Sequence, residues 1–183
     1  MPSETGFWNV EEAKNNHDFC YELARWVGDY IPKNTPILDA GCGNGNYLRY
    51  LHDRGFSNLL GMEGEIPNAT YFGNIKQQDL TEEFTLPYKK NIVCLEVGEH
   101  IPEQYLNQFL DNLVNNCLNK IIISWGVPGQ DGYSHVSCRH NIWVINEMEK
   151  RNMKFIAEDS LKARAVVEER WSYFRNTIMI FKK

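Results

Sequence analysis

Five stretches of this chain are nearly unbroken apolar runs: "PILDA" (36–40), "NLLGM" (58–62), "NIVCLEV" (91–97), "KIIISW" (120–125) and "TIMIFKK" (177–183). Runs this short and this apolar suit strands covered on both faces, as in the parallel sheets of α/β proteins. Helical patterns lie between them. Phe19, Leu23, Trp26, Val27 and Tyr30 keep helical spacing until Pro32 stops them, and Tyr47, Leu48 and Leu51 resume it after the first run. Tyr105, Phe109, Leu110, Leu113 and Cys117 share one helix face, and Ile142, Ile145 and Met148 share another. A weaker strand ending near Gln77 and a short one at "KFIAE" (154–158) complete the alternation. Strands alternating with helices predict an α/β fold with a mostly parallel sheet and helices on both faces. Ligands of such sheets bind beyond the carboxyl ends of the strands.

The 183 residues suit a single domain, 1–183, with an N-terminal helical segment (1–33) leading into the core (34–183). A net charge of −5 offers no general attraction to nucleic acid or anionic lipid. No apolar run approaches the ~18 residues of a spanning helix, and the acidic first thirty residues lack a signal core. The five cysteines, at 20, 42, 94, 117 and 138, form no C-x-x-C pair. A cytoplasmic protein with reduced thiols is expected, with no membrane partner.

"LDAGCGNGNYL" (38–48) follows the first strand and opens a helix. Gly41, Gly43 and Gly45 permit tight turning and close backbone approach to a ligand, and the helix start offers free N–H groups. Asp39 could accept hydrogen bonds from a cationic or hydroxylated group. The third glycine comes too early for G-x-G-x-x-G, and no Lys-Ser or Lys-Thr follows as in a P-loop. "ILDAGCGNG" resembles the first motif of the Rossmann-like S-adenosylmethionine-dependent methyltransferases, and the resemblance runs from about Pro36 to the C-terminus. It implies seven strands, the last antiparallel. It places Asp39, Gly41, Cys42 and Gly43 against the methionine part of the cofactor. Glu63 would grip the ribose hydroxyls, Asp79 would meet the adenine amino group, and Leu80 would lie beside the ring.

"CLEVGEHIPEQ" (94–104) puts Glu96, Glu99 and His100 where the fourth strand hands over to a helix. If a helical turn begins at Glu96, offsets of three and four share one face. Two carboxylates and an imidazole would then make a chelating surface. The loop after the fifth strand supplies His135 and His140 as further candidates, His135 being nearer the strand end. The run resembles the E-x-x-E-H of two subclasses: methyltransferases of the 3′-terminal ribose of small RNAs, which hold a divalent ion, and ubiquinone-pathway O-methyltransferases. The resemblance implies a metal set of Glu96, Glu99, His100 and His135 holding Mg²⁺ or Mn²⁺, with Glu99, His100 and His135 serving catalysis. A divalent ion would lower the pKa of an alcohol oxygen and hold it in line, and His135 could instead act as general base. The same residues have simpler readings, in which Glu96 touches the cofactor, Glu99 caps a helix and His100 packs as a ring.

The expected activity is O-methylation of a sugar or other small vicinal-diol acceptor. Phe7, Trp8, Trp125, Tyr133, Trp143 and "RWSYFRN" (170–176) offer aromatic faces, and Arg170 and Arg175 could meet an anionic substrate. The alternative is 2′-O-methylation of RNA 3′ ends, against which the acidic balance argues. A catalytically silent partner subunit is the reading of another class, opposed by the intact cofactor and E-x-x-E-H residues.

Overall fold

In the computed structural model, which describes residues 3–9 and 18–183, the apolar runs become strands. They are β1 (Ile37–Ala40), β2 (Leu59–Glu63), β3 (Ile75–Gln77), β4 (Lys90–Cys94), β5 (Cys117–Ile123), β6 (Lys154–Phe155) and β7 (Met179–Lys182). One sheet holds all seven in the order β3-β2-β1-β4-β5-β7-β6. The first five pair in parallel, and β7 enters antiparallel between β5 and β6. The chain thus has the Rossmann-like sheet, with its antiparallel last strand, that the glycine motif implies.

The helices are α1 (Tyr21–Tyr30), α2 (Asn46–Asp53), α3 (Leu106–Asn116), α4 (Asn141–Lys150), α5 (Ala157–Ala165) and α6 (Ser172–Thr177). The helical segment expected within 1–33 is α1 in the part described; residues 1–2 and 10–17 of it lie outside the described residues. Successive strand residues enter opposite cores because side chains alternate along a strand. Leu38, Ile92 and Ile121 pack with Phe109, Leu113 and Met148 on one face. Ile37, Val93 and Ile122 pack with Leu23, Val27, Leu48 and Leu51 on the other. Each such side chain contributes about 1.5–3 kcal/mol on full burial. Among the described residues no helix is long and apolar enough to cross a membrane.

Several boundaries differ from the sequence reading. The run "NIVCLEV" pairs only as far as Cys94, because Glu96 turns the chain with a φ of 52°. "KFIAE" is strand only through Phe155; Ala157 opens α5, whose first turn places Glu158 and Asp159 at the positive end of the helix dipole. Cys117 starts β5 rather than ending the face of α3. Helices α5 and α6 carry weak periodicity in sequence and form because the chain must return over the sheet to reach β7.

The buried Asn112 of α3 fastens the segment after β3. Its Nδ2 donates to the carbonyl oxygens of Leu80 (2.8 Å) and Glu82 (2.7 Å). Asn116, one turn on, donates to Phe84 O and accepts from Leu86 N. Asn112→Ala leaves two carbonyls without this donor, and a loss of about 1–3 kcal/mol in urea unfolding is expected.

Candidate active site

Parallel register brings the strand ends level: Ala40 pairs with Met62, and Glu63 with Gln77. A cavity of about 360 Å³ opens beyond them, within the ~300–1,000 Å³ of small-molecule sites. Its walls come from the glycine loop, the ends of β1, β2 and β4, loop 130–135 and the N-terminal segment 3–9.

One half fits a cofactor. Asp39 lines the cavity, is only 5% exposed, and its Oδ2 has no hydrogen-bond partner. Burial, and then the charge of Glu63, push its pKa up to about 7. Glu63 takes one amide on each oxygen, from Gly43 N (2.7 Å) and Gly64 N (2.9 Å), which leaves each oxygen a lone pair. Burial raises its pKa and those two amides oppose the rise. Gly43, at φ 54°, turns its amide onto that carboxylate. Gly41, at φ 76°, lies so close to Val97 that a Cβ would come within 2.4 Å of its side chain. Cys42 also lines the cavity, with a thiol pushed up by burial and so kept protonated. Asp79 and Leu80 close this half. Asp79 Oδ1 is taken by the amide and hydroxyl of Thr81, while Oδ2 accepts from Thr5 (2.5 Å) and keeps room for a further donor. The unpartnered Asp39 oxygen and the two Glu63 lone pairs match an ammonium group and a ribose diol, so these residues fit S-adenosylmethionine.

The other half holds the E-x-x-E-H residues. A 3₁₀ turn at Gly98–His100, rather than an α-turn from Glu96, presents them. Glu99, His100 and His135 bring one donor atom each to within 4.8 Å of one another. Glu99 is fully buried, and neither carboxylate oxygen has a hydrogen-bond partner of good geometry. Its pKa lies well above the ordinary carboxylate value because of burial, reinforced by the charge of Glu96. His135 Nε2 stands 4.0 Å from Glu99 Oε1, too far for a hydrogen bond and close to what two ~2.1 Å metal–ligand bonds would span. His135 Nδ1 faces Gln130 O and His100 Nδ1 faces Ser134 O, each at 3.3 Å. These carbonyls favour N–H at Nδ1 and leave Nε2 with its lone pair. His100 is lowered to about 4, first by burial and then by His135, so it is neutral at pH 7. The donor set fits a divalent cation.

Glu96 stands outside that close group. Its Oε2 accepts from Gln130 Nε2 (2.5 Å), its Oε1 is buried without a partner, and its side chain interacts with Glu99. Burial raises its pKa. The other sequence candidates divide. His140 is the N-cap residue of α4, outside the group. Trp125 is fully buried, donates Nε1–H to Ser137 O, and fills the space beside Gly98, so it is core rather than an acceptor wall. Trp143 packs on Trp125. Arg170 pairs with Glu168, and neither Arg170 nor Arg175 lines the cavity.

Phe7, Trp8 and Tyr133 do line it. Phe7 covers Gly64, and Trp8 sets its edge on His100 (4.9 Å) and Tyr133 (6.1 Å). Sequence reasoning missed Gln130 and Asp18, and named Tyr173 only within "RWSYFRN". Gln130 meets Glu96 across 34 positions, and Tyr173 donates to Asp18 (2.7 Å) across 155, so no local pattern marks either pair.

No family model matches the chain, and no curated protein matches it either. Solved structures do. The magnesium protoporphyrin IX methyltransferase ChlM of Synechocystis PCC 6803, with S-adenosylhomocysteine bound, aligns at TM-score 0.65 and 16% identity, over 88% of this chain and 79% of that one. The sugar N-methyltransferase KedS8 of Streptoalloteichus sp ATCC 53650 aligns at 0.66 and 13%, over 89% and 87%. The methyltransferase domain of the bacterial CtHen1 aligns at 0.58 and 17%, over 88% and 100%. At these identities the likeness is one of fold.

Asp39 sets a pH dependence of stability. Its folded pKa of about 7 exceeds the ordinary 3.8, so its cost to the ligand-free fold is absent below about pH 4 and complete above about pH 7. At about 1.4 kcal/mol for each pH unit the cost reaches roughly 4 kcal/mol. Asp39→Asn should therefore gain stability over the wild type in urea unfolding at pH 8, and much less at pH 5.

Proposed function

We propose that this chain is an S-adenosylmethionine-dependent O-methyltransferase that acts, with a divalent cation, on a hydroxyl of a sugar or other small vicinal-diol acceptor. The observation that carries the reading is the sharing of one site: the Asp39–Glu63 cradle and the Glu99–His100–His135 group meet across a single cavity. The cofactor supplies an electrophilic methyl group on a sulfonium sulfur. The cation supplies positive charge that lowers the pKa of a neighbouring hydroxyl, which is otherwise a weak nucleophile at neutral pH.

The chain's own residues do the positioning. Asp39 takes the ammonium of the methionine part, Glu63 the ribose hydroxyls, and Asp79 with Leu80 the adenine. Glu99, His100 and His135 hold the cation, with Glu96 completing the set. Two imidazoles beside carboxylates suit Mn²⁺ better than the all-oxygen preference of Mg²⁺. Trp8 and Tyr133 supply apolar faces for a sugar ring. Five free thiols, four of them buried, suit a reducing, cytoplasm-like compartment.

Calorimetry should detect S-adenosylmethionine binding by the wild type and none by Gly43→Val, whose branched side chain cannot adopt the left-handed φ. Chelation should abolish transfer and Mn²⁺ should restore it. His135→Ala should lower kcat by about 100-fold while changing the Kd of S-adenosylhomocysteine by less than about 3-fold, because the cation serves the acceptor. Undiminished turnover after exhaustive chelation would return the group to a packing role.

A further inference from the structure

The cavity has a one-sided charge. Six carboxylates line it, from Asp18, Asp39, Glu63, Asp79, Glu96 and Asp131, and no Lys or Arg does so among the described residues. The nearby cations are engaged elsewhere: Arg139 reaches outward to Glu103 and lies over the Trp143 ring, and Arg170 pairs with Glu168. Asp39 and Glu63 have a ligand to meet, since a cofactor ammonium and ribose account for them. Asp18, Glu96 and Asp131 line the same cavity, with Glu99 buried behind the histidines. A doubly charged cation on the Glu99 group and the cofactor's sulfonium together do not balance these four carboxylates.

One contact shows that this charge is held in place. Glu96 lines the cavity, and Gln130 holds its Oε2 while the buried Oε1 has no hydrogen-bond partner, so the carboxylate is fixed in place. A phosphate or carboxylate entering here would face like charge at short range in a partly desolvated site, and would find no fork of N–H donors to receive it. A hydroxyl or an ammonium would instead donate into it.

Resting on the methyl-transfer reading, we infer that the part of the acceptor entering the cavity is a polyol without acidic substituents, and that an ammonium on it strengthens binding. Trp8 and Tyr133 would cover the apolar face of such a ring, and the exposed carboxylates of Asp18 and Asp131 would attract an amino substituent.

The test uses D-galactose, 6-amino-6-deoxy-D-galactose and D-galactose 6-phosphate, which keep the same ring diols and differ in charge at one carbon. Saturation-transfer NMR on the full chain, loaded with S-adenosylhomocysteine and Mg²⁺, reads their binding without turnover; methyl transfer is assayed in parallel. The amino sugar is expected to bind at least as well as galactose, and the phosphate roughly ten-fold more weakly. The double variant Asp18→Asn, Asp131→Asn should narrow that gap, while an uncharged probe binds it as before. Equal or tighter binding of the phosphate, or a preference for an RNA 3′ end over all three sugars, overturns the inference even if methyl transfer proceeds. The expected order without any transfer keeps the inference and refutes the proposed reaction. Failure of all three probes to bind overturns the inference.

Discussion

Asp39, Glu63, Glu96 and Glu99 are held at one end of the sheet where, among the described residues, no Lys or Arg lines the cavity, and the active region is organised around that concentration of charge. Each carboxylate has lost water, and each sits near another. The fold neither removes nor neutralises them with Lys or Arg. It spaces them so that one pair faces the cofactor half and the other faces the histidines. Such an arrangement is costly in the ligand-free chain and turns favourable when cations or N–H and O–H donors arrive. Glu96 carries an additional cost, since a non-glycine residue at φ 52° is disfavoured by about 1–2 kcal/mol. Ser124, just past β5, accepts a hydrogen bond from the Glu96 amide (2.9 Å) and helps to keep it there.

The cost is offset by packing that does not depend on the site. Both faces of the sheet carry continuous apolar clusters, and fully buried Trp125 and Phe109 brace the turn that bears Glu99. The loop that delivers His135 is tied to the same turn, because Val136 N and Ser137 N both donate to Glu99 O at 2.8 Å. The donors of the candidate metal group thus rest on one hydrogen-bonded unit instead of on independent loops. That reduces the reorganisation needed when a cation binds. At the other end, Asn112 holds the chain that carries Leu80, and Thr5 joins the N-terminal segment to Asp79. One segment therefore touches Asp79, Gly64 and, through Trp8, the histidines.

Much of this was legible along the chain. The strands, the glycine turn, and Asp39 and Glu63 at strand ends are local features, since apolar runs, glycine spacing and a carboxylate after a strand each act within a few residues. The trio of Glu99, His100 and His135 was legible through spacing and loop position. The aromatic wall was legible in part, since Phe7, Trp8 and Tyr133 line the cavity and Trp125 does not. Trp125 follows an apolar strand just as an acceptor-facing ring would, and only the room left beside Gly98 assigns it to the core. Trp8 lies far from His100 in sequence and meets it only because the N-terminal segment crosses the cavity.

The sequence by itself determined the α/β class, the position of the glycine turn and the residue types gathered at the strand ends, because backbone propensity and burial periodicity are properties of short stretches. The tertiary structure decided the rest. It separated Glu96 from the three clustered donors, recruited Gln130, Asp18 and Tyr173, and withdrew Arg170 and Arg175 from the cavity. Those outcomes depend on the register of parallel strands and on loop closure over tens of residues, which set distances and charge environments that no local pattern encodes.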